Sequence, residues 1–171
     1  MILVLSGPVH SGKTTFLQNL LSRLKARDAP VCGYLSPAVV IEGEISGYDL
    51  FDIQKGWSIP FLRREGESGW QKVGPYFFLP PGLEAAKAAI LGSKRGEWLI
   101  VDEVGPAELS GKGVWPAMSE VLLRPLLNCL LVVRKCLVSD LRRKLGDREI
   151  EIYSFGAKDL LHALLNRLST S

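Results

Sequence analysis

The run Gly7-Pro8-Val9-His10-Ser11-Gly12-Lys13-Thr14 fits the pattern G-x-x-x-x-G-K-[ST] at every fixed position. No other feature of the chain narrows its fold as far. Before it comes the apolar run Met1-Ile2-Leu3-Val4-Leu5-Ser6, bounded by Gly7 and Pro8, which is how a buried parallel strand reads. After it, from Ser11 to Ala26, Phe16, Leu17, Leu20, Leu21 and Leu24 recur at helical spacing. Arg23 and Lys25 fall near the end of that stretch, where cations suit the helix dipole, and Ala29-Pro30 stops it. Strand, glycine-bearing loop and helix, in that order, are the setting the motif requires. At average residue usage the pattern arises by chance with a probability of roughly 0.01 in a chain of this size.

The chemistry of each position points to a crowded anion. Backbone N–H groups from Val9 to Thr14 can surround a β-phosphate, and the helix N-terminus adds partial positive charge. Gly7 and Gly12 allow backbone angles and close approach that a Cβ would obstruct. Lys13 can reach the β- and γ-phosphates, Thr14 can offer its hydroxyl to Mg2+, and Thr15 can bond the α-phosphate. His10 faces solvent or ligand in such a loop and is given no catalytic role. The expected ligand is therefore a nucleoside triphosphate with Mg2+, held by Gly7, Pro8, Val9, His10, Ser11, Gly12, Lys13, Thr14 and Thr15.

Beyond the loop, Val31–Leu35, Glu97–Glu103, Leu127–Val133 and Glu149–Tyr153 read as strands. Pro80–Leu91, Val114–Leu123, Val138–Leu145 and Lys158–Leu168 read as helices. Strands alternating with helices imply a three-layer α/β fold with a mainly parallel sheet. The stretch 37–78 differs: Val39-Val40-Ile41 and Ile45–Leu50 flank Glu42-Gly43-Glu44 as a hairpin, and short apolar pieces follow at Trp57-Ser58-Ile59 and Tyr76-Phe77-Phe78. It reads as a small antiparallel β insertion within one domain spanning 1–171. With 47% hydrophobic and 23% charged residues, the chain is not of the disordered class. Its net charge of +3 is too small to indicate a nucleic-acid partner, and none is expected. No apolar run is long enough for a membrane helix, and the opening residues lack a basic leader and cleavage pattern, so a cytoplasmic location is expected. Cys32, Cys129 and Cys136 form no CxxC pair. Cys32 and Cys129, set in apolar runs, read as reduced core residues.

The strand Trp98-Leu99-Ile100-Val101 ends in Asp102 and Glu103. Ligands of open α/β sheets bind at such C-terminal ends. Asp102 is suited to hold Mg2+ together with Thr14, and Glu103 to orient and deprotonate an attacking water.

With these segments in view, the chain resembles the nucleoside-triphosphatase family of the thermophilic and human cancer-related type. The carriers are Gly7–Thr15, Gly33–Ser36, Ser46–Asp49, Val73–Tyr76 and the run Asp102-Glu103-Val104-Gly105-Pro106-Ala107-Glu108-Leu109, whose order covers most of the chain. The last run is much more specific than the first. The resemblance implies a RecA-like P-loop NTPase with an extra catalytic glutamate, one strand lying between the two motif strands, and slow hydrolysis of several nucleoside triphosphates. Two positions depart from relatives: Pro106 stands where some carry lysine, and Arg134-Lys135 follow Val133 where many have small or hydroxylated residues and a proline.

Charge on the transferred phosphoryl needs a counter-charge. Arg134, just past a strand whose end should face the site, is the leading arginine-finger candidate, ahead of Lys112 and Arg63-Arg64. Trp57, Trp70, Tyr76 and Trp115 could stack on a base, though apolar packing is their default. The reading is a hydrolase with Lys13, Glu103 and Arg134 as catalytic groups. Its competitors are a nucleotide or small-molecule kinase, and a slow switch whose turnover a protein partner would accelerate.

Overall fold

The computed structural model describes residues 1–9, 11–125 and 127–169. Five parallel strands form the part of the sheet that matters most: β1 (Ile2–Gly7), β2 (Val31–Leu35), β8 (Trp98–Val104), β9 (Asn128–Arg134) and β10 (Ile150–Ser154). Their spatial order is β10-β1-β9-β8-β2, so one strand, β9, separates the phosphate-loop strand from the strand of Asp102 and Glu103. These strands are continuous apolar runs because both faces of the sheet are covered. Alternate side chains go to alternate faces. Leu3, Leu5, Ile100, Leu130 and Val132 pack under α1 (Lys13–Lys25) and α6 (Leu160–Ser169). Val4, Val101, Leu131 and Val133 pack under α2 (Pro80–Leu91), α4 (Trp115–Leu122) and α5 (Val138–Leu145). The fold is thus helix, sheet, helix.

The antiparallel stretch continues this same sheet. β4 (Glu44–Asp52) pairs with β2, β3 (Ala38–Ile41) pairs with β4, and β5 (Ser58–Arg63), β7 (Tyr76–Phe78) and β6 (Lys72–Val73) extend the edge in that order. The β3–β4 hairpin turns on Glu42 and Gly43, with φ of 53° and 83°. Positive φ at both central residues is the type I′ signature that matches strand twist. The described α1 begins at Lys13 rather than Ser11, because Gly12 sits in the left-handed region outside the helix. Cys32 and Cys129 are buried free thiols in the same core cluster, on the α2, α4 and α5 side of the sheet, and burial pushes the Cys129 thiol up to about 12.

Gly33 is where β2 most depends on its residue type. Its φ is +96°, and a Cβ there would stand 2.1 Å from the Ile100 carbonyl oxygen of β8. Both the angle and the contact exclude a side chain. Gly33→Ala should destabilise the fold by about 2 kcal/mol or more and lower the melting temperature by roughly 4–8 °C, as thermal denaturation would reveal.

Candidate active site

The C-terminal ends of β1, β9, β8 and β2 meet along one edge, and the phosphate loop lies across it. Gly7 closes β1 and stands in register with Arg134 of β9, while Val133 pairs with Val104 of β8. That register brings three sequence-distant elements to one level. Pro8 and Val9 lead into the loop; His10 lies outside the described residues. The Ser11 hydroxyl donates to the Pro8 carbonyl at 2.9 Å, and the Lys13 ammonium donates to the same carbonyl across the loop. Gly12 carries the φ of 87° that turns the chain into α1. Lys13 is 6% exposed, whereas Thr15 lies open at the helix start.

Thr14 and Asp102 meet. The Thr14 hydroxyl donates to Asp102 Oδ2 at 2.8 Å, and the Ser36 amide donates to the same oxygen at 3.3 Å. Burial pushes the Asp102 carboxyl up to about 6, while the Thr14 and Ser36 bonds work to keep it ionised. A hydroxyl and a carboxylate converging beside a phosphate loop form the oxygen-only donor pair that Mg2+ takes from protein, the remaining positions going to phosphates and water. The residues fit the ion.

Glu103 is adjacent to Asp102, and in a regular strand it would point to the opposite face. The register of β8 against β9 slips between Val101 and Val104, so three residues are accommodated where two would be expected. A bulge of this kind re-aims a side chain. As a result both carboxylates line the same cavity of about 590 Å3, together with Gly12, Lys13, Thr14 and Arg134. Arg134 Nε donates to Glu103 Oε1 at 2.9 Å, with both side chains about a third exposed.

The other cations have different roles. The Arg63 guanidinium is held by Asp49 and by the carbonyls of Tyr48 and Leu62. Arg64 bonds the Ile45 carbonyl and lies over the Tyr76 ring. Lys112 is exposed and away from the cavity lining. Of the four aromatic candidates only Tyr76 lines the cavity; Trp57 and Trp115 lie beneath Lys55 and Lys144.

Sequence reasoning missed the part played by Glu108. The short helix α3 (Pro106–Leu109) begins right after β8, where the sequence reads as a loop. Glu108 is 4% exposed and accepts from the Gly105 amide at 2.9 Å and the Val114 amide at 3.4 Å. It anchors the turn that carries Glu103 into α3 and on to α4. The signal was present: proline at the first helical position and glutamate at the third are a helix-start signature. Burial raises the Glu108 carboxyl above its ordinary value, opposed by the amides of Gly105 and Val114 and reinforced by Glu103. The folded state therefore holds this proton more tightly than the unfolded chain does. Its contribution to stability is fully present below the ordinary carboxylate range and is lost as pH rises through the folded value. Asp102 adds a slope of the same sign. Melting curves from about pH 4 to about pH 7 should show stability falling less steeply with pH in Glu108→Gln than in the native chain.

The family described as NTPase matches residues 2–161. The nucleoside-triphosphatase THEP1 of Ignicoccus hospitalis is 32% identical over 122 residues, covering 71% of this chain and 67% of that protein. Its counterpart from Methanopyrus kandleri is 36% identical over 107 residues, covering 62% of this chain and 58% of that protein. Two solved structures share the fold. A human cancer-related nucleoside triphosphatase matches with a TM-score of 0.72 at 24% identity, over 98% of this chain and 95% of that chain. THEP1 from the hyperthermophile Aquifex aeolicus matches with a TM-score of 0.69 at 20% identity, over 98% of this chain and 99% of that chain. A loop–strand–carboxylate edge of this design, in a chain whose match to the family runs from the first strand into the last helix, makes the chain a member of the NTPase family.

Proposed function

We propose that this chain hydrolyses nucleoside triphosphates to the diphosphate and phosphate, with Mg2+ held by Thr14 and Asp102. The observation that carries the reading is the meeting of Thr14 and Asp102 at 2.8 Å with Glu103 aimed into the same cavity. The loop amides and Lys13 bind and orient the phosphates, Lys13 exchanging the Pro8 carbonyl for phosphate oxygen. Mg2+, once bound, neutralises part of the charge on the phosphates. Glu103 takes a proton from water as the water oxygen bonds to the γ-phosphorus. The bond from that phosphorus to the bridging oxygen breaks, and the diphosphate leaves. Arg134 turns from Glu103 to the γ-phosphoryl, where charge spreads in the transition state.

Chelation tests the metal directly. With excess EDTA, phosphate release should fall at least roughly hundredfold and return on adding Mg2+. Release that is unaffected by EDTA would contradict the role given to Thr14 and Asp102.

A further inference from the structure

The cavity is larger than the phosphate site. Half of it is walled by Tyr34 of β2, Tyr48 of β4, Phe61 of β5, Tyr76 and Phe78 of β7, and Val73 of β6. These strands all lie beyond β8, on the side away from β1. A phosphate chain running from Thr15 through the loop to Lys13 and Glu103 points its γ end toward them, so the aromatic half lies past the γ-phosphate.

Its walls are built and held. Tyr34 and Phe61 meet edge to face at 5.7 Å, Tyr48 and Tyr76 at 5.4 Å, and Phe61 and Phe78 pack at 5.3 Å. Arg64 lies over Tyr76. None of these six wall residues carries a charge; the charged lining groups Lys13, Asp102, Glu103, Glu108 and Arg134 belong to the loop, to β8 and β9 and to the turn after β8. Tyr34 lines the cavity, and its hydroxyl bonds none of the described residues. It is not sealed off: among the described residues the one buried side-chain polar atom without a partner is Ser93 Oγ, so the Tyr34 hydroxyl opens onto the cavity and can bond what enters it.

We propose that this aromatic half is a subsite for a second ligand, an uncharged planar ring compound carrying a hydroxyl or similar group that bonds the Tyr34 hydroxyl. Walls of uncharged rings select against an ionic ligand, and ring edges and faces suit a flat one. The proposal rests on the reading of the phosphate loop given above.

Nucleosides and simple aryl alcohols share this chemistry. The test titrates adenosine, guanosine, cytidine, uridine and pyridoxine, by ligand-observed NMR, into the full chain saturated with Mg2+ and tripolyphosphate. It repeats the titration with the chain saturated with Mg2+ and a non-hydrolysable ATP analogue. At least one compound should bind both forms, and which one binds separates the two sources. Tyr34→Phe should weaken that binding about fivefold and Tyr76→Ala roughly tenfold, with tripolyphosphate affinity unchanged within about twofold. Three results overturn the proposal: no compound binds, binding ignores both substitutions, or binding seen with tripolyphosphate is blocked by the ATP analogue. The last would assign the aromatic walls to the substrate's own base. A chain that fails to hold tripolyphosphate at all would remove the phosphate-loop reading, and the subsite with it.

Discussion

Arg134→Ala should lower turnover by about 10³ while leaving triphosphate affinity within a few-fold, because an arginine finger acts on charge that develops only in the transition state. The position follows from strand register. Arg134 closes β9 opposite Gly7, and β9 is the strand flanked by both motif strands. Among the described residues Arg134 is the one arginine that lines the cavity; Arg63 and Arg64 lie outside it and bond the backbone of β4. Its bond to Glu103 gives Arg134 a second effect, since it fixes the carboxylate's orientation. Arg134→Lys separates the two. Lysine keeps the charge but not the planar fork, so it should recover part of the loss and leave a deficit of at least roughly tenfold. Turnover of the alanine variant within about twofold of the native rate would end the role.

Glu103→Gln should lower turnover by at least roughly 10², the usual scale for a general base, with binding of Mg2+ and triphosphate retained. Glutamine has nearly the same shape, and its carbonyl oxygen can still accept from Arg134 Nε, so the bulge and the ion-pair geometry lose little. What it loses is basicity. Because Arg134 and Glu103 touch, their effects should not multiply. The double variant should be less impaired than the product of the two single losses.

The phosphate loop was legible because its chemistry is local: eight consecutive residues carry it, and the flanking strand and helix declare themselves by apolar period. Asp102, Glu103 and Arg134 were legible for a related reason, since each sits at the end of an apolar run that the sheet must align with its neighbours. That Asp102 and Glu103 share one side of β8 was not legible. It depends on a register slip against β9, which no pattern within β8 shows. The helix at Pro106–Leu109 was hidden by its length, four residues being too few for a period, although its capping residues marked it. The aromatic walls were the least visible. Tyr34, Tyr48, Phe61 and Tyr76 come from four strands, and only the order β2-β4-β5-β7 brings them together. The antiparallel stretch likewise read as an addition to the fold, whereas its pairing with β2 makes it the far wall of the cavity.

The central claim is that water, activated by Glu103 beside a metal-bound triphosphate, is the acceptor. Phosphate release from ATP with Mg2+, in a solution containing no other acceptor, tests it most directly when the native chain and Glu103→Gln are compared at equal nucleotide saturation. The account predicts one phosphate for each diphosphate from the native chain and release at least roughly hundredfold slower from the variant. Equal rates, or release that begins only when an acceptor is added, would contradict it.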